Sequence, residues 1–118
     1  MILTITLNPA IDRFLFLDQV DYGGLNYIRE TQNTAGGKGL NISRILQRFG
    51  IGSMAMGFLG GPLSSWFRQT LETEKIDAQF IPIQGITRCN TKIIDRKTGD
   101  ITELNEYGPV IQEFEWQL

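Results

Sequence analysis

The sequence predicts an α/β protein organised on a parallel sheet, and three observations lead there. Short β-branched, apolar runs alternate with helical stretches, and glycine or proline closes most runs. The composition is that of an ordinary globular domain, 42% hydrophobic and 20% charged over 118 residues. A chain of this length suits a single unit with a modest core.

Taken in order, "MILTITL" is apolar but short, with no basic leader and no small-residue cleavage site. It reads as a first strand over residues 1–7, and a cytoplasmic location is expected. Asn8-Pro9 ends that strand because proline lacks a backbone donor, which puts Asp12 just past a strand's carboxyl end. "RFLFLDQVDYGGLNYIRE" offers two β-prone runs about Gly23-Gly24, the pattern of a hairpin. After "NTAGGKGLN", the residues Ile42, Ile45, Leu46 and Phe49 recur at helical spacing, and Gly50 stands where a glycine ends a helix.

"SMAMGFLG" reads as a buried strand. "GPLSSWFRQTLETEKI" reads as a second helix, with Pro62 near its first position and Leu63, Phe67 and Leu71 on one face. "AQFIPI" supplies a third core strand, and "TKIID" and "ITELNE" flank a hairpin turn at "RKTG". Ile111, Phe114 and Leu118 begin another helical stripe, which stops without a capping signal. Three core strands are few against the usual five or so, so the chain is expected to be the N-terminal part of a longer protein.

Charge and residue usage exclude several functions. A net charge of −2 with eleven scattered basic residues leaves no footprint for nucleic acid or an anionic membrane. The absence of histidine removes Ser-His-Asp and Cys-His mechanisms, and the single cysteine, Cys89, removes an internal disulfide and a cysteine zinc site. No metal site is expected in this segment.

The glycine-rich stretch satisfies neither the P-loop pattern nor the dinucleotide fingerprint, because its glycines are wrongly spaced and Leu40 follows "GGKG". Gly36 and Gly37 still allow backbone N–H groups close to a ligand, the helix N-terminus favours negative charge, and Lys38 adds a point charge. An anion or polyol cradle and a plain turn fit equally. Asn41 in the first helical turn either joins Asp12 at a cleft, where amide and carboxylate suit sugar hydroxyls, or caps the helix. Arg88, Asn90 and Lys92 alternate along a strand and share a face, with Arg88 the better phosphate partner because its fork binds bidentately. That face is equally a plain solvent face.

The ordered blocks "TLNPAID", "GGLN", "AGGKGLN", "GFLGG", "TRCNTK" and "TELNEYGP" resemble the ribokinase-like PfkB sugar kinases, in particular the 1-phosphofructokinase and tagatose-6-phosphate kinase branch. The resemblance runs from Met1 to about Pro109. It implies an αβα sandwich with a small β-sheet lid, here only the N-terminal part: core about 1–12, 33–86 and 109–118, lid about 13–32 and 87–108. It assigns Asp12, Gly36, Gly37 and Asn41 to the sugar hydroxyls, Arg88 and Asn90 to the substrate and its phosphate, and Lys38 to nearby anionic groups.

The family's catalytic Asp belongs to a C-terminal "GAGD"-type motif that this sequence lacks, as it lacks the ATP site. The resemblance therefore implies a full-length enzyme that uses ATP and Mg²⁺ to phosphorylate a ketohexose phosphate, and a segment inactive alone. "TRCNTK" and "TELNEYGP" favour fructose 1-phosphate, giving fructose 1,6-bisphosphate. Tagatose-6-phosphate kinase and a non-catalytic phosphosugar-binding or dimerisation module are the alternatives. A homodimer through the lid is a further implication of the resemblance.

Overall fold

The structure is a computed structural model and describes residues 1–117. In chain order the elements are β1 (Ile2–Thr6), β2 (Ala10–Leu17), β3 (Glu30–Gly36), α1 (Lys38–Arg48), β4 (Ser53–Leu59), α2 (Ser64–Thr73), β5 (Ala78–Pro82), β6 (Arg88–Asp95) and β7 (Ile101–Leu104). A 3₁₀ turn over Glu113–Gln117 follows. The strands form two sheets: a three-stranded parallel one, ordered β1-β4-β5, and a four-stranded one, ordered β3-β2-β6-β7. In the second sheet β2 and β6 run parallel, and the outer pairs are antiparallel. It includes residues 10–12 and 33–36, which the sequence reading put at the edges of the core.

Two βαβ crossovers lay α1 and α2 on one face of the parallel sheet. That face carries Thr4, Thr6, Ala55, Leu59 and Phe80, all buried. Phe67 of α2 meets Phe80 edge-on, with ring centroids 5.6 Å apart. Ile11 and Ala35 from the four-stranded sheet join the same cluster, so one core ties the two sheets together.

Helix α1 ends as its sequence predicts. Gly50 sits at φ 71°, its N–H donates to the Gln47 carbonyl at 3.0 Å, and the Ile51 N–H donates to Leu46 at 2.9 Å. Its packing face differs from the expected stripe: Ile42, Ile45 and Phe49 are exposed, and Gly39, Leu40 and Ser43 are buried. The cause is close approach. A Cβ on Gly39 would lie 2.9 Å from the Ile5 carbonyl oxygen, and the hydroxyls of Ser43 and Thr4 are 2.7 Å apart. Small residues form the seam, so the large ones face outward.

Three other expectations need correction. Helix α2 starts at Ser64, after Pro62, and leaves Leu63 exposed. The first hairpin forms, but its return strand begins at Glu30. The run from Leu25 to Ile28 stays in an exposed loop, where the side chain of Asn26 accepts from the Asp21 N–H at 2.7 Å and donates to the Asp21 carbonyl at 2.9 Å. Such local bonds compete with strand pairing. Near the C-terminus Phe114 is exposed, and Glu115 is buried because its carboxylate accepts the N–H groups of Gln84 and Gln112, each at 2.8 Å. Leu118 lies outside the described residues.

The opposite face of the parallel sheet carries no helical layer among the described residues. Leu3 and Ile5 on β1 are 53% and 59% exposed, and β1 is an edge strand. The described chain measures 47 × 36 × 19 Å with a radius of gyration of 16.2 Å, against about 13.5 Å for a compact chain of its length. It is a slab two layers thick. None of its described helices is long and apolar enough to cross a membrane.

Candidate functional site

The four-stranded sheet leaves the core along a single row of paired residues, with Ala10 flanked by Gly36 and Arg88. The next row is Ala35, Ile11 and Cys89; the one after it is Thr34, Asp12 and Asn90. Register therefore makes neighbours of residues that stand far apart in the sequence. Asp12 lies past the carboxyl end of β1, as the sequence suggested, and is the third residue of β2. Pairing with β3 and β6 holds the chain extended there.

The Asp12 carboxylate lies directly against Gly36, where an added Cβ would come 2.1 Å from its Oδ2. Any larger residue there would push that carboxylate aside. Across the sheet, Lys92 Nζ stands 3.5 Å from Asp12 Oδ1, 3.8 Å from Glu103 Oε1 and 5.6 Å from the centre of the Phe14 ring. The Lys92 and Asp12 side chains are 19% and 25% exposed. Partial burial and the aromatic face both strengthen such a pair beyond an open surface contact.

Asn90 is buried, and its Oδ1 accepts the Glu106 N–H at 3.1 Å. Glu106 in turn accepts the Cys89 N–H at 2.6 Å. Arg88 donates from Nη2 to the Asn8 carbonyl at 3.1 Å, and its Nε is buried without a partner among the described residues. Beside it opens a cavity of about 380 Å³, lined also by Glu106, Tyr107 and Pro109. A guanidinium lining a cavity suits an oxyanion.

Gly37, at φ 150°, caps α1 without any side-chain hydrogen bond, and the first turn carries no acidic residue. The helix N-terminus thus presents open N–H groups. Lys38 begins the helix and is exposed. Asn41 does not cap the helix. Its Oδ1 accepts a bond from Arg44 Nη1 at 3.0 Å, and its own N–H donates to the Gly37 carbonyl.

The structure brings Asp12, Gly36 and Asn90 together on the four-stranded sheet, with Arg88 in its first row, and sets Gly37, Lys38 and Asn41 at the start of α1, where among the described residues no hydrogen bond or ion pair joins Lys38 or Asn41 to Asp12, Asn90 or Arg88. Sequence reasoning gave no role to Thr6 or Arg44 and left Lys92 on a shared face without a partner. Thr6 is buried under the glycines with an unpartnered hydroxyl, so close that a Cβ on Gly37 would lie 2.4 Å from its Cγ2. Only the alternation at Lys92 was a usable signal.

Comparison with known proteins adds the family. The family model described as pfkB family carbohydrate kinase matches residues 5–118. Tagatose-6-phosphate kinase of Staphylococcus epidermidis is 44% identical over 112 residues, covering 95% of this chain and 36% of that protein. 1-Phosphofructokinase of Bacillus subtilis is 40% identical over 113 residues, covering 96% of this chain and 36% of the relative. The crystal structure of phosphofructokinase-2 from Escherichia coli in complex with fructose-6-phosphate superposes with a TM-score of 0.91 at 22% identity, covering 98% of this chain and 38% of that one. This last likeness concerns the fold. The chain spans a little over a third of the length of the relatives it matches, and over that length it belongs to the pfkB family of carbohydrate kinases.

Proposed function

We propose that the complete protein phosphorylates a ketohexose phosphate with ATP, fructose 1-phosphate being converted to fructose 1,6-bisphosphate, and that these residues hold the sugar side of the reaction. The observation that carries this reading is the Asp12 carboxylate set against Gly36 and backed by Lys92. A carboxylate so placed accepts hydrogen bonds from sugar hydroxyls. Asn90 and Asn41 add amide groups, and Arg88 and Lys38 with the open end of α1 take the phosphate and nearby negative charge. The four-stranded sheet acts as the lid, and its closure over the sugar excludes water.

No three acidic or other metal-ligating side chains converge among the described residues. The reading puts Mg²⁺ with the ATP phosphates, outside these residues, because Mg²⁺ is held by one or two carboxylates together with substrate phosphates and water, and no step here runs through the metal. The reading places the catalytic base and the ATP site outside these 118 residues, so the segment alone transfers no phosphate. Exposed Tyr22, Leu25, Tyr27 and Leu104 on the lid support a homodimer formed there. A cytoplasmic location agrees with soluble phosphosugar substrates.

The test is turnover of the complete protein with ATP and fructose 1-phosphate, tagatose 6-phosphate or fructose 6-phosphate. The highest kcat/KM is expected with fructose 1-phosphate. A preference for tagatose 6-phosphate, as in the S. epidermidis relative's name, would move the substrate, and no turnover with any would end the reading. Arg88→Ala should weaken phosphosugar binding by about 2 to 5 kcal/mol. Unchanged affinity by calorimetry would return Arg88 to a packing role.

A further inference from the structure

Arg44 joins three elements around the glycine loop. From α1 its Nε and Nη2 grip Glu74 at the end of α2, at 2.6 and 3.2 Å. Nη2 also donates to the Ala35 carbonyl of β3, and Nη1 to Asn41 Oδ1 at 3.0 Å. The Arg44 and Glu74 side chains are 21% and 33% exposed, so the fork is set in the protein rather than in solvent. Glu74 is itself fixed. The α2 helix turns out through Lys75 at φ 60°, and Gln47 Nε2 donates to the Glu74 carbonyl at 2.7 Å.

A guanidinium only donates, so it must face the oxygen of the Asn41 amide. Asn41 is thereby left with its Nδ2 hydrogens for any ligand. We propose that Arg44 is a positioning residue of the sugar site: braced by Glu74, it orients Asn41 as a hydrogen-bond donor. The ligand atom facing Asn41 is then an acceptor, a hydroxyl or phosphate oxygen. This inference rests on the phosphosugar reading of the site.

The experiment is a double-mutant cycle on the complete protein, titrated by calorimetry with fructose 1-phosphate and with tagatose 6-phosphate. Arg44→Met is expected to weaken binding of the preferred sugar about tenfold in the wild-type background and to add almost nothing when Asn41 is already Ala. Arg44→Lys, which can still reach Glu74 but has no fork, should recover part of the loss. Because Arg44→Met removes a buried partner of Glu74 and risks misfolding, Glu74→Gln is measured alongside. It keeps the shape and should give a smaller loss that also vanishes in the Asn41→Ala background. Losses that multiply with Asn41→Ala, or unchanged affinity in Arg44→Met and Glu74→Gln, would overturn the role of Arg44 while leaving the site standing. Failure of the wild type to bind either sugar would remove the phosphosugar reading itself and the inference with it.

Discussion

At the scale of single residues, the site depends on groups whose partners are fixed by close contact rather than by motif. Thr6 shows this. Its hydroxyl is buried beneath the first turn of α1 with no partner among the described residues, and an unsatisfied buried hydroxyl costs about 1 to 3 kcal/mol. Thr6→Val, which keeps the shape, should leave stability unchanged or raise it by about 1 kcal/mol in a denaturant titration. A clear loss would mean that the hydroxyl is satisfied in solution. Residue types at Asp12, Gly36, Asn90 and Arg88 were legible in the sequence because carboxylate, glycine, amide and guanidinium each have a narrow chemistry. Their partners were not. That Asp12 meets Lys92, eighty residues on, follows from the β2–β6 register, which no local pattern encodes.

At the scale of elements, the other strands and both long helices were legible from periodicity, but β3 was not, because residues 33–36 read as a glycine loop, and the buried face of α1 was misread. Helix α1 was read by its large apolar residues, yet it packs through Gly39 and Ser43. Gly39→Ala should therefore destabilise the protein by about 1 to 3 kcal/mol through overpacking, despite alanine's better helix propensity. Gly52→Ala, with nothing within 4 Å of the new methyl, should be close to neutral. Equal melting temperatures for the two variants would contradict the close seam between α1 and β1. The β6–β7 hairpin carries a pH dependence of its own. Asp95 is held below its ordinary 3.8 by the Val20 N–H foremost, with the N–H groups of Thr98 and Lys97 assisting. A depressed carboxylate contributes stability above its unfolded pKa and loses it as pH falls through the lower folded value. Hydrogen-exchange protection in β6 and β7, taken relative to the intrinsic rate at each pH, should thus fall below about pH 3.8, and Asp95→Asn should reduce that response. An undiminished acid response in the variant would point to another carboxylate.

At the scale of the whole molecule, the alternation of strands and helices made the fold class legible, whereas the second sheet was legible only through the family resemblance, because β2 and β6 pair across the long sequence separation from Ala10 to Arg88. The described residues cover one face of the parallel sheet only where Trp116 packs on Phe58, and they leave Leu3 and Ile5 exposed on edge strand β1. Parallel sheets are normally covered on both faces, and an open apolar edge invites pairing. In isolation the segment should bind a hydrophobic dye and associate with rising concentration. Ile5→Lys should reduce association seen by light scattering, while unchanged association would place the contact elsewhere, the exposed lid residues being the next candidates. The row Gly36, Ala10, Arg88 bears on motion. Three of the four connections to the core, through residues 7–9, Gly37 and residues 83–87, enter the four-stranded sheet along that line, and the fourth, residues 105–112, leaves β7 and passes Cys89 and Asn90 on its way back to the core. A body attached along a line can swing about it and can hardly slide or twist away. Were that sheet to close as the proposed lid, Asp12 and Asn90, two positions from the line, would be displaced less than the far ends of its strands.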